Sequence, residues 1–368
     1  TTQAGPAGAA ARAVAGGPAL RVSVVMRNLD IPWDTAFLPN GAMLVTERDR
    51  ERILLRRPRG RVRVLASSPP GMWHSSEGGL MSLAVDPRFR RNSRFYTCHG
   101  GFRANGSRDV RVVAWRLNGR QTQARRVEVL VSGIPTTTGR HSGCRLEIDP
   151  RGRLWVGTGD AVIGTNPQNL RSLGGKVLRV NRFTGGPARG NPYRRADNRN
   201  KRKVFTHGHR NVQGLAWRPG GGMWSVEHGT NRDDEVNRLV PRGDYGWAPG
   251  PSYNETAPMT NHRLPGRQRS ARWRSGFPTI ATSGATWLTH RRWGAWRGRL
   301  AVAALADQSM RIIRFSRRNR LVSVRNPGRL NGDFGRLRSV TLGPRGALYV
   351  TTSNGGGSDR VLRVTPVR

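Results

Sequence analysis

The chain has 368 residues, of which 36% are hydrophobic, and its 64 basic and 22 acidic side chains give a formal net charge of +42. Its 47 glycines and 23 prolines favour short strands joined by tight turns over long helices. No apolar run approaches the ~18 residues that a membrane-spanning helix requires. Residues 1–20 are rich in alanine and glycine and lack an apolar signal region, so we expect a disordered leader there. Residues 21–368 are expected to form a single domain.

A strand–turn–strand pattern recurs six times along the chain, with alternating apolar residues, a Pro/Gly turn, and a second strand that ends in small or acidic residues. The six segments are Trp33–Glu47, Leu80–Cys98, Arg145–Asp160, Gly214–His228, Ala285–Ala304 and Val340–Thr352. Further strands lie between them, such as Arg52–Arg56, Val110–Leu117, Val177–Val180 and Met310–Phe315. A lone hairpin cannot bury both faces, whereas radial stacking of such units also hides the sheet edges. The sequence therefore predicts an all-β protein, a six-bladed β-propeller with four-stranded antiparallel blades.

The two cysteines, Cys98 and Cys144, exclude a multi-disulfide framework but permit one bridge. Each falls at or near a strand edge, in neighbouring repeats. One disulfide in an exported protein and two unlinked buried thiols are equally compatible with this placement. No cysteine–histidine cluster has the spacing of a zinc site.

A candidate acid–base pair lies in the third repeat. His141 stands just before the first strand, in a loop that can enter the central channel of a propeller, and a neutral imidazole there can accept a proton. Asp160 ends the same hairpin, so the chain returns to the same end face and the carboxylate can orient the ring. A lone loop histidine is more often structural, and the aspartate is what favours a catalytic role.

Further polar residues fall in loops of the expected end face. They are Arg210, Asn211 and Gln213 in one segment and Arg336 and Arg338 in another. Arginine suits bidentate carboxylate binding, although solvated arginines are the plainer interpretation in so basic a chain. The densest acidic stretch, Glu227–Asn237, offers the oxygen ligands that Ca²⁺ prefers, without EF-hand spacing. This face is therefore expected to bind a polycarboxylate, with a metal left open.

In this order, the segments resemble the soluble aldose dehydrogenases of the glucose/sorbosone type that depend on pyrroloquinoline quinone (PQQ), particularly the actinobacterial members. The resemblance runs from about Leu29 to Pro366. The matching stretches are PWDTAFLPNGAMLVTER, EGGLMSLAVDPRF, HSGCRLEIDPRGRLWVGTGD, NPQNLRSLGGKVLRVNR, GHRNVQGLAW, EHGTNRDDEVNRL with DYGW, and GRLRSVTLGPRGALYVTTSNGG. Each motif alone is weak, whereas the ordered set is specific.

The resemblance implies a quinoprotein oxidoreductase that oxidises the C1 hydroxyl of aldose sugars to lactones by hydride transfer to PQQ, with an external electron acceptor. His141 is implied as the general base, Asp160 as its support, and Arg210 as the group that stabilises charge on the quinone. The residues implied to bind or line the cofactor site are Arg210, Asn211, Arg336, Arg338 and Glu77. Gly229 and Thr230 are implied to give backbone carbonyls to a Ca²⁺ ion that bridges protein and PQQ. A secreted, periplasmic or cell-surface location and a monomer or homodimer are also expected.

Three positions depart from the family pattern. Ala306 stands where the family has a lysine, which removes a cation expected near PQQ. Thr230 replaces the proline of the EHGP turn, so the turn is expected to be less preorganised. Cys144 replaces the commoner glycine of HxGGRL, as in the actinobacterial branch, and this supports a link to Cys98.

Two other functions compete with sugar oxidation. A lactonase-type hydrolase would need carboxylates and asparagines that converge on a channel calcium, and the sequence offers arginines instead. A catalytically impaired propeller that binds glycans or polyanions would explain Ala306 and the charge. The arginines spread over the whole chain and no nucleic-acid-binding motif accompanies them, so non-specific polyanion binding is expected and no specific nucleic-acid partner.

Overall fold

A computed structural model describes residues 17–367. Most of the expected leader, residues 1–16, lies outside the described residues, and the first strand begins at Leu20. No helix within residues 17–367 is long and apolar enough to cross a membrane.

The described chain forms 24 strands in six four-stranded antiparallel sheets, which confirms the predicted six-bladed propeller. The strands are β1 (Leu20–Leu29), β2 (Pro32–Phe37), β3 (Met43–Glu47), β4 (Arg52–Arg56), β5 (Val62–Ser67), β6 (Leu80–Val85), β7 (Arg94–Phe102), β8 (Arg108–Leu117), β9 (Ala124–Ile134), β10 (Gly143–Ile148), β11 (Arg153–Thr158), β12 (Lys176–Asn181), β13 (Val204–His207), β14 (Val212–Arg218), β15 (Gly222–Glu227), β16 (Glu235–Arg238), β17 (Trp273–Arg274), β18 (Thr282–Trp287), β19 (Leu300–Ala304), β20 (Met310–Phe315), β21 (Leu321–Arg325), β22 (Leu337–Leu342), β23 (Leu348–Thr352) and β24 (Asp359–Pro366). The helical segments are α1 (Phe89–Asn92) and the 3₁₀ turns Lys201–Lys203, Arg291–Trp296, Gly328–Leu330 and Pro344–Gly346.

Each blade contains one of the predicted repeats as its two innermost strands. Blades 1 to 5 run in chain order as β2–β5, β6–β9, β10–β13, β14–β17 and β18–β21, and blade 6 consists of β22, β23, β24 and β1. In blade 3, Leu146 pairs with Val156 and Ile148 with Leu154. The turn between these strands closes with Gly152 N donating to Asp149 O at 2.7 Å, and Gly152 has a φ of 72°, which a glycine adopts without steric cost.

The ring closes between the two ends of the described chain. β1 pairs with β24 from Leu20–Pro366 to Leu29–Asp359, so the outermost strand of blade 6 comes from the beginning of the chain. Asp359 also accepts a hydrogen bond from Ile31 N at 2.9 Å, just before blade 1 begins. This closure completes the sixth blade with a strand from the other end of the described chain, which joins the first and last blades of the ring.

The six innermost strands line the central channel, and a buried carboxylate joins four of them. Asp34 of β2 accepts hydrogen bonds from the hydroxyls of Ser82 in β6 and Ser339 in β22, each at 2.6 Å. Arg145 of β10 forms a 2.7 Å salt bridge with the same carboxylate, and its guanidinium lies 4.3 Å from the centre of the Trp33 ring. Blades 1, 2, 3 and 6 therefore meet at one side chain.

Cys98 of β7 and Cys144 of β10 form a disulfide, which settles the alternative left open by the sequence. The bond joins blades 2 and 3 within a buried apolar cluster. Cys144 has a φ of 72°, in the left-handed region that favours glycine. A cysteine in this position therefore bears a backbone cost that the disulfide offsets.

Loss of the disulfide is expected to destabilise the protein. The bond spans a sequence separation of 46 residues, and the chain-entropy estimate for a loop of this length is about 4 kcal/mol. Replacement by Cys98→Ala with Cys144→Gly should lower the free energy of unfolding by up to this amount, measured by urea unfolding.

The variant Cys98→Ala with Cys144→Ala should be less stable again, by about 1 kcal/mol, because alanine bears the left-handed backbone cost that glycine avoids. Wild-type protein treated with dithiothreitol is the control. Equal stability of oxidised and reduced wild type would contradict the prediction.

Candidate active site

The candidate site lies at the end of the channel where the innermost strands begin, which we call the site face. His141 comes two residues before β10, and Asp160 comes two residues after β11, so the antiparallel pairing of Gly143 with Thr158 brings them together. His141 has a φ of 50° and Gly143 of 60°, which turns the chain sharply into the strand. The predicted return of the hairpin to one face is therefore present.

His141 and Asp160 form a buried hydrogen-bonded pair. The Nδ1 atom of His141 lies 2.9 Å from Oδ1 of Asp160, and the residues are 3% and 0% exposed. The carboxylate also accepts from Val162 N, at 2.9 Å, and from Trp247 Nε1, at 2.7 Å. A carboxylate held in this way fixes the orientation of the imidazole, and an Nδ1–H donor leaves Nε2 as the acceptor.

Tyr253 belongs to the same cluster, although no motif in the sequence marks it. Its hydroxyl donates to Oδ2 of Asp160 at 2.8 Å and lies 2.9 Å from Nδ1 of His141. Burial, followed by the charge of Asp160, raises the pKa of Tyr253, so the phenol stays protonated and serves as a donor. The residue stands in a long irregular segment between β16 and β17, where no periodicity marked it.

Arg210 and Asn211 lie beside this pair, as predicted. An isolated bridge joins Gly159 to Asn211, and Asp160 N donates to Arg210 O at 2.8 Å. The guanidinium of Arg210 is 5% exposed, contacts Glu255 at 3.1 Å, and leaves its enclosed Nε without a partner among the described residues. A buried cation with a spare donor is suited to an anionic ligand.

Glu77 links blade 2 to both of these residues. Its Oε2 accepts from His141 N at 3.0 Å and from Asn211 Nδ2 at 3.2 Å. Oδ1 of Asn211 in turn accepts from Gly143 N and from Gln213 Nε2, each at 3.0 Å. Glu77 thus lines the site, and its contacts hold the backbone of the histidine loop.

The two arginines predicted near β22 differ in exposure: Arg338 lies within the strand and Arg336 directly precedes it. Arg338 is 7% exposed and contacts Ser353 Oγ at 3.0 Å and Gln213 Oε1 at 3.5 Å, whereas Arg336 is exposed. Burial and the nearby charges of Arg48 and Arg336 lower the pKa of Arg338 to about 9. The site therefore concentrates positive charge that an anion would relieve.

Arg48 was not singled out from the sequence, although the repeat could have identified it. Arg48 is the first residue after β3, and Ala306 is the second residue after β19. Both strands end at the site face, so both residues lie there. Arg48 also contacts Asp49, at 2.5 Å. Ala306 is exposed, and the next residue, Asp307, forms a salt bridge with Arg311. The site keeps a cation from blade 1 while it lacks one from blade 5.

Lys176 does not replace the missing lysine. Its Nζ donates to three backbone carbonyls, those of Asn166, Pro167 and Gly174, and so fastens the loop that follows Asp160. Burial lowers the pKa of Lys176 to about 7, and the charge of Asp160 opposes this shift. Its role is to hold the loop rather than to face the channel.

Most carboxylates of the acidic stretch are already engaged within the protein. Glu227 lies 2.8 Å from His209 Nδ1 and accepts from Arg210 N at 2.9 Å. Asp234 accepts from the backbone N–H groups of Gly229, at 2.9 Å, and Ile280, at 2.7 Å. These side chains shape the loop, so a cation there would depend mainly on backbone oxygens.

The turn at Gly229 is tight. A Cβ added to Gly229 would lie 2.1 Å from Arg232 O and 2.6 Å from Asp233 O, so only glycine fits against these carbonyls. Thr230 contacts Asn231 through its hydroxyl at 3.3 Å. The turn thus gathers backbone oxygens, which are hard ligands of the kind that Ca²⁺ takes.

His228 is a further residue that the sequence analysis did not identify. Its Nε2 is enclosed and has no partner among the described residues. Burial, followed by the charges of Arg210, Arg338 and His141, lowers the pKa of His228 to about 3. The imidazole is therefore neutral at physiological pH and adds a polar group to the site without adding charge.

Comparisons with known proteins identify the family of the chain. Residues 29–363 match the family model described as Glucose / Sorbosone dehydrogenase. The chain belongs to the glucose/sorbosone dehydrogenase family.

Three relatives align with this chain over more than nine-tenths of both sequences. A Thermus thermophilus structure described as a glucose dehydrogenase is 37% identical with a TM-score of 0.80, covering 94% of this chain and 99% of that one. The aldose sugar dehydrogenase YliI of Escherichia coli is 28% identical over 94% of this chain and 93% of its own length. The PQQ-bound aldose sugar dehydrogenase of Streptomyces coelicolor is 28% identical with a TM-score of 0.77, covering 95% and 99% of the two chains.

Replacement of His228 by asparagine should make stability less sensitive to acid. The pKa of His228 is about 3 in the folded protein against an ordinary value of 6.5. As the pH falls from about 6.5 towards 3, His228 binds a proton in the unfolded chain but not in the folded chain. The free energy of unfolding therefore decreases. His228→Asn removes this component, which is at most about 1.4 kcal/mol per pH unit.

Urea unfolding between pH 7 and 4 measures the difference in slope. The control is His262→Asn, because His262 is an exposed histidine. A wild-type slope that is unchanged in His228→Asn would show that the imidazole is already protonated in the folded state.

Proposed function

We propose that the protein is a quinoprotein oxidoreductase that uses PQQ to oxidise aldose sugars at C1, with His141 as the general base. The observation that carries the proposal is the buried His141–Asp160 pair next to Arg210, a buried cation with a spare donor. Family membership supports it, as do the PQQ-bound Streptomyces coelicolor relative and the Escherichia coli relative named for aldose sugars.

The residues of the site fit the chemistry of PQQ, which carries three carboxylates and an o-quinone. Two buried arginines, Arg210 and Arg338, can bind carboxylate or quinone oxygens, and the exposed Arg336 adds a third cation. The enclosed Arg210 Nε is an unused donor. Arg210, Asn211, Arg336 and Arg338 would hold the cofactor, and Glu77 would act through its bonds to Asn211 and His141.

Calcium fits the turn beside the site. Gly229 and Thr230 would provide backbone oxygens, in keeping with the tight packing of Gly229 against two other carbonyls. Within residues 17–367 no group of three or more His, Cys, Asp or Glu side chains is placed to hold a metal. A ligand set of carbonyls therefore needs oxygens from a bound carboxylate to complete it.

Each of the proposed site residues has its own role in the reaction. When bound, PQQ supplies a quinone carbon that accepts the hydride from the sugar C1. Nε2 of His141 takes the proton of the C1 hydroxyl, since Nδ1 is engaged with Asp160. Asp160 and Tyr253 hold the ring and stabilise the imidazolium that forms. Arg210 would stabilise the negative charge that develops on the bound cofactor. The sugar is released as a lactone.

The location and partners follow from this chemistry. The electrons pass to an external acceptor, and the sugar is taken from outside the cytoplasm. The Cys98–Cys144 disulfide supports a secreted, periplasmic or cell-surface location, because such bonds persist in oxidising compartments. A monomer or homodimer is sufficient, since every proposed site residue comes from one chain.

The proposal is tested by adding PQQ and Ca²⁺ to the protein and measuring both absorbance and sugar-dependent dye reduction with a panel of aldoses. The wild type should bind PQQ and reduce the dye. His141→Ala should still bind PQQ but lose activity about 10²–10⁴-fold, the usual contribution of a general base. His262→Ala, at an exposed site, is the matched control.

Failure of the wild type to bind PQQ would sink the proposal. Binding of PQQ without oxidation of any sugar would instead favour a propeller that binds glycans or polyanions without catalysis. A hydrolase of the lactonase type would need carboxylates and asparagines that converge on a calcium in the channel, whereas the site face presents the buried arginines Arg210 and Arg338.

A lysine at position 306 should strengthen the binding of PQQ. Ala306 is exposed on the site face, so Ala306→Lys adds a cation near the proposed carboxylate ligand without displacing a buried group. We expect the dissociation constant to fall about tenfold, equivalent to ~1.4 kcal/mol. An absorbance titration measures it.

The control is Gln308→Lys, an exposed residue of the same turn, which adds the same charge at a neighbouring position. An equal gain in both variants would show that overall charge, rather than position 306, governs the affinity.

A further inference from the structure

A second basic cavity lies far from the site face, on the outer part of blade 3. β11 ends at the site face and β12 runs back from it, so the connection from β12 to β13 begins at the opposite end of the blade. This connection, residues 182–203, contains eight basic residues and one acidic residue, Asp197. It borders a cavity of about 760 Å³ that is open to solvent.

Five cations line this cavity: Arg194, Arg195, Lys201, Arg202 and Arg242. Within residues 17–367 their side-chain hydrogen bonds go to backbone carbonyls, from Arg202 to Asp197 O at 3.5 Å and from Arg242 to Pro192 O at 3.1 Å. The enclosed Nε of Arg202 has no partner in this part of the chain. The carboxylate of Asp197 is exposed and pairs with none of the five. The cavity is thus lined by positive charge without internal compensation.

The walls of the cavity are fixed in advance. The side chain of Asn191 accepts from Arg179 Nε at 2.8 Å and donates to Arg179 O at 2.7 Å and Arg202 O at 2.9 Å, so it ties both ends of the connection to β12. Tyr193 lies between two of the cations, with Lys201 Nζ 5.4 Å and the Arg242 guanidinium 5.5 Å from its ring centre. Lys201 and Arg242 are thus partly ordered before a ligand binds, whereas Arg194 and Arg195 are exposed.

Repulsion among the cations is already present. Burial, followed by the charges of Arg202 and Arg199, lowers the pKa of Lys203, which adjoins the cavity. An anion in the cavity would relieve this repulsion. Guanidinium groups match phosphate oxygens in bidentate geometry, and ammonium groups add point charges.

We propose that this cavity is a binding site for a soluble phosphorylated ligand that carries at least two phosphate groups. Four of the cations come from the connection and Arg242 comes from the loop after β16, so a ligand with two phosphate groups can contact both chain segments at once. The site is separate from the candidate active site, so it does not depend on PQQ or on sugar oxidation.

Isothermal titration with inorganic pyrophosphate at low ionic strength tests the proposal. The wild type should bind one pyrophosphate saturably, and orthophosphate at least fivefold more weakly. Lys201→Gln with Arg242→Gln should weaken pyrophosphate binding at least tenfold. Arg317→Gln with Arg318→Gln removes the same charge from the exposed turn between β20 and β21, and should change binding less than twofold.

Equal losses in the two double variants would overturn the proposal, because they would trace the affinity to net charge. So would equal binding of orthophosphate and pyrophosphate, or the absence of saturable binding to the wild type. If Lys201→Gln with Arg242→Gln does not fold, Arg194→Gln with Arg195→Gln changes two exposed residues of the same cavity and decides by the same criteria.

Discussion

The carboxylate of Asp34 is the interaction on which the arrangement of the blades depends. Asp34 is 4% exposed and lies on the channel wall. Its carboxylate accepts hydrogen bonds from hydroxyl groups of blades 2 and 6 and forms a salt bridge with a guanidinium of blade 3. The blades contact each other mainly through side chains, because the backbone ladders run within each sheet and few backbone hydrogen bonds, such as Asp160 N to Arg210 O, cross between blades. A buried charge is costly unless it is paired and fully hydrogen-bonded, so this position tolerates only the geometry that satisfies it. The carboxylate therefore sets the distance between four inner strands, while the pairing of β1 with β24 closes the ring outside them.

This fixed ring is what makes the site face precise. His141 and Asp160 come from one hairpin of blade 3. Arg210 and Arg338 come from blades 4 and 6, so only the arrangement of the blades brings them to this pair. Arg145 connects the two regions, since it binds Asp34 through one nitrogen and the carbonyl of Gln213 through another at 2.8 Å. Gln213 then contacts Asn211 and Arg338. A series of buried polar contacts thus connects Asp34 to the residues proposed to hold the cofactor.

The sequence predicted the parts of the fold that repeat and missed those that do not. Alternating apolar residues and Pro/Gly turns marked all six inner hairpins, and the return of β11 to the start of β10 follows from that pattern, which is why Asp160 could be predicted beside His141. The two-residue strand β17 carries no detectable pattern. Tyr253 contacts Asp160 across 93 residues from an irregular loop, and such a contact depends on how the loop crosses the site face. Arg48 could have been found, since it follows β3 in blade 1 much as Ala306 follows β19 in blade 5.

The electrostatics of the site face explain why a missing lysine need not empty the site. Burial and the charges of Arg48, Arg336 and Arg145 already lower the pKa of Arg338, so each further cation would add repulsion in the unliganded protein. A multiply charged anion attracts each of these cations, so Arg210 and Arg338 can hold it without a further cation from blade 5. With Ala306 in place of a lysine, the unliganded protein has one source of repulsion fewer. The substitution therefore lowers the affinity for an anionic ligand by one contact, while it makes the unliganded site more stable.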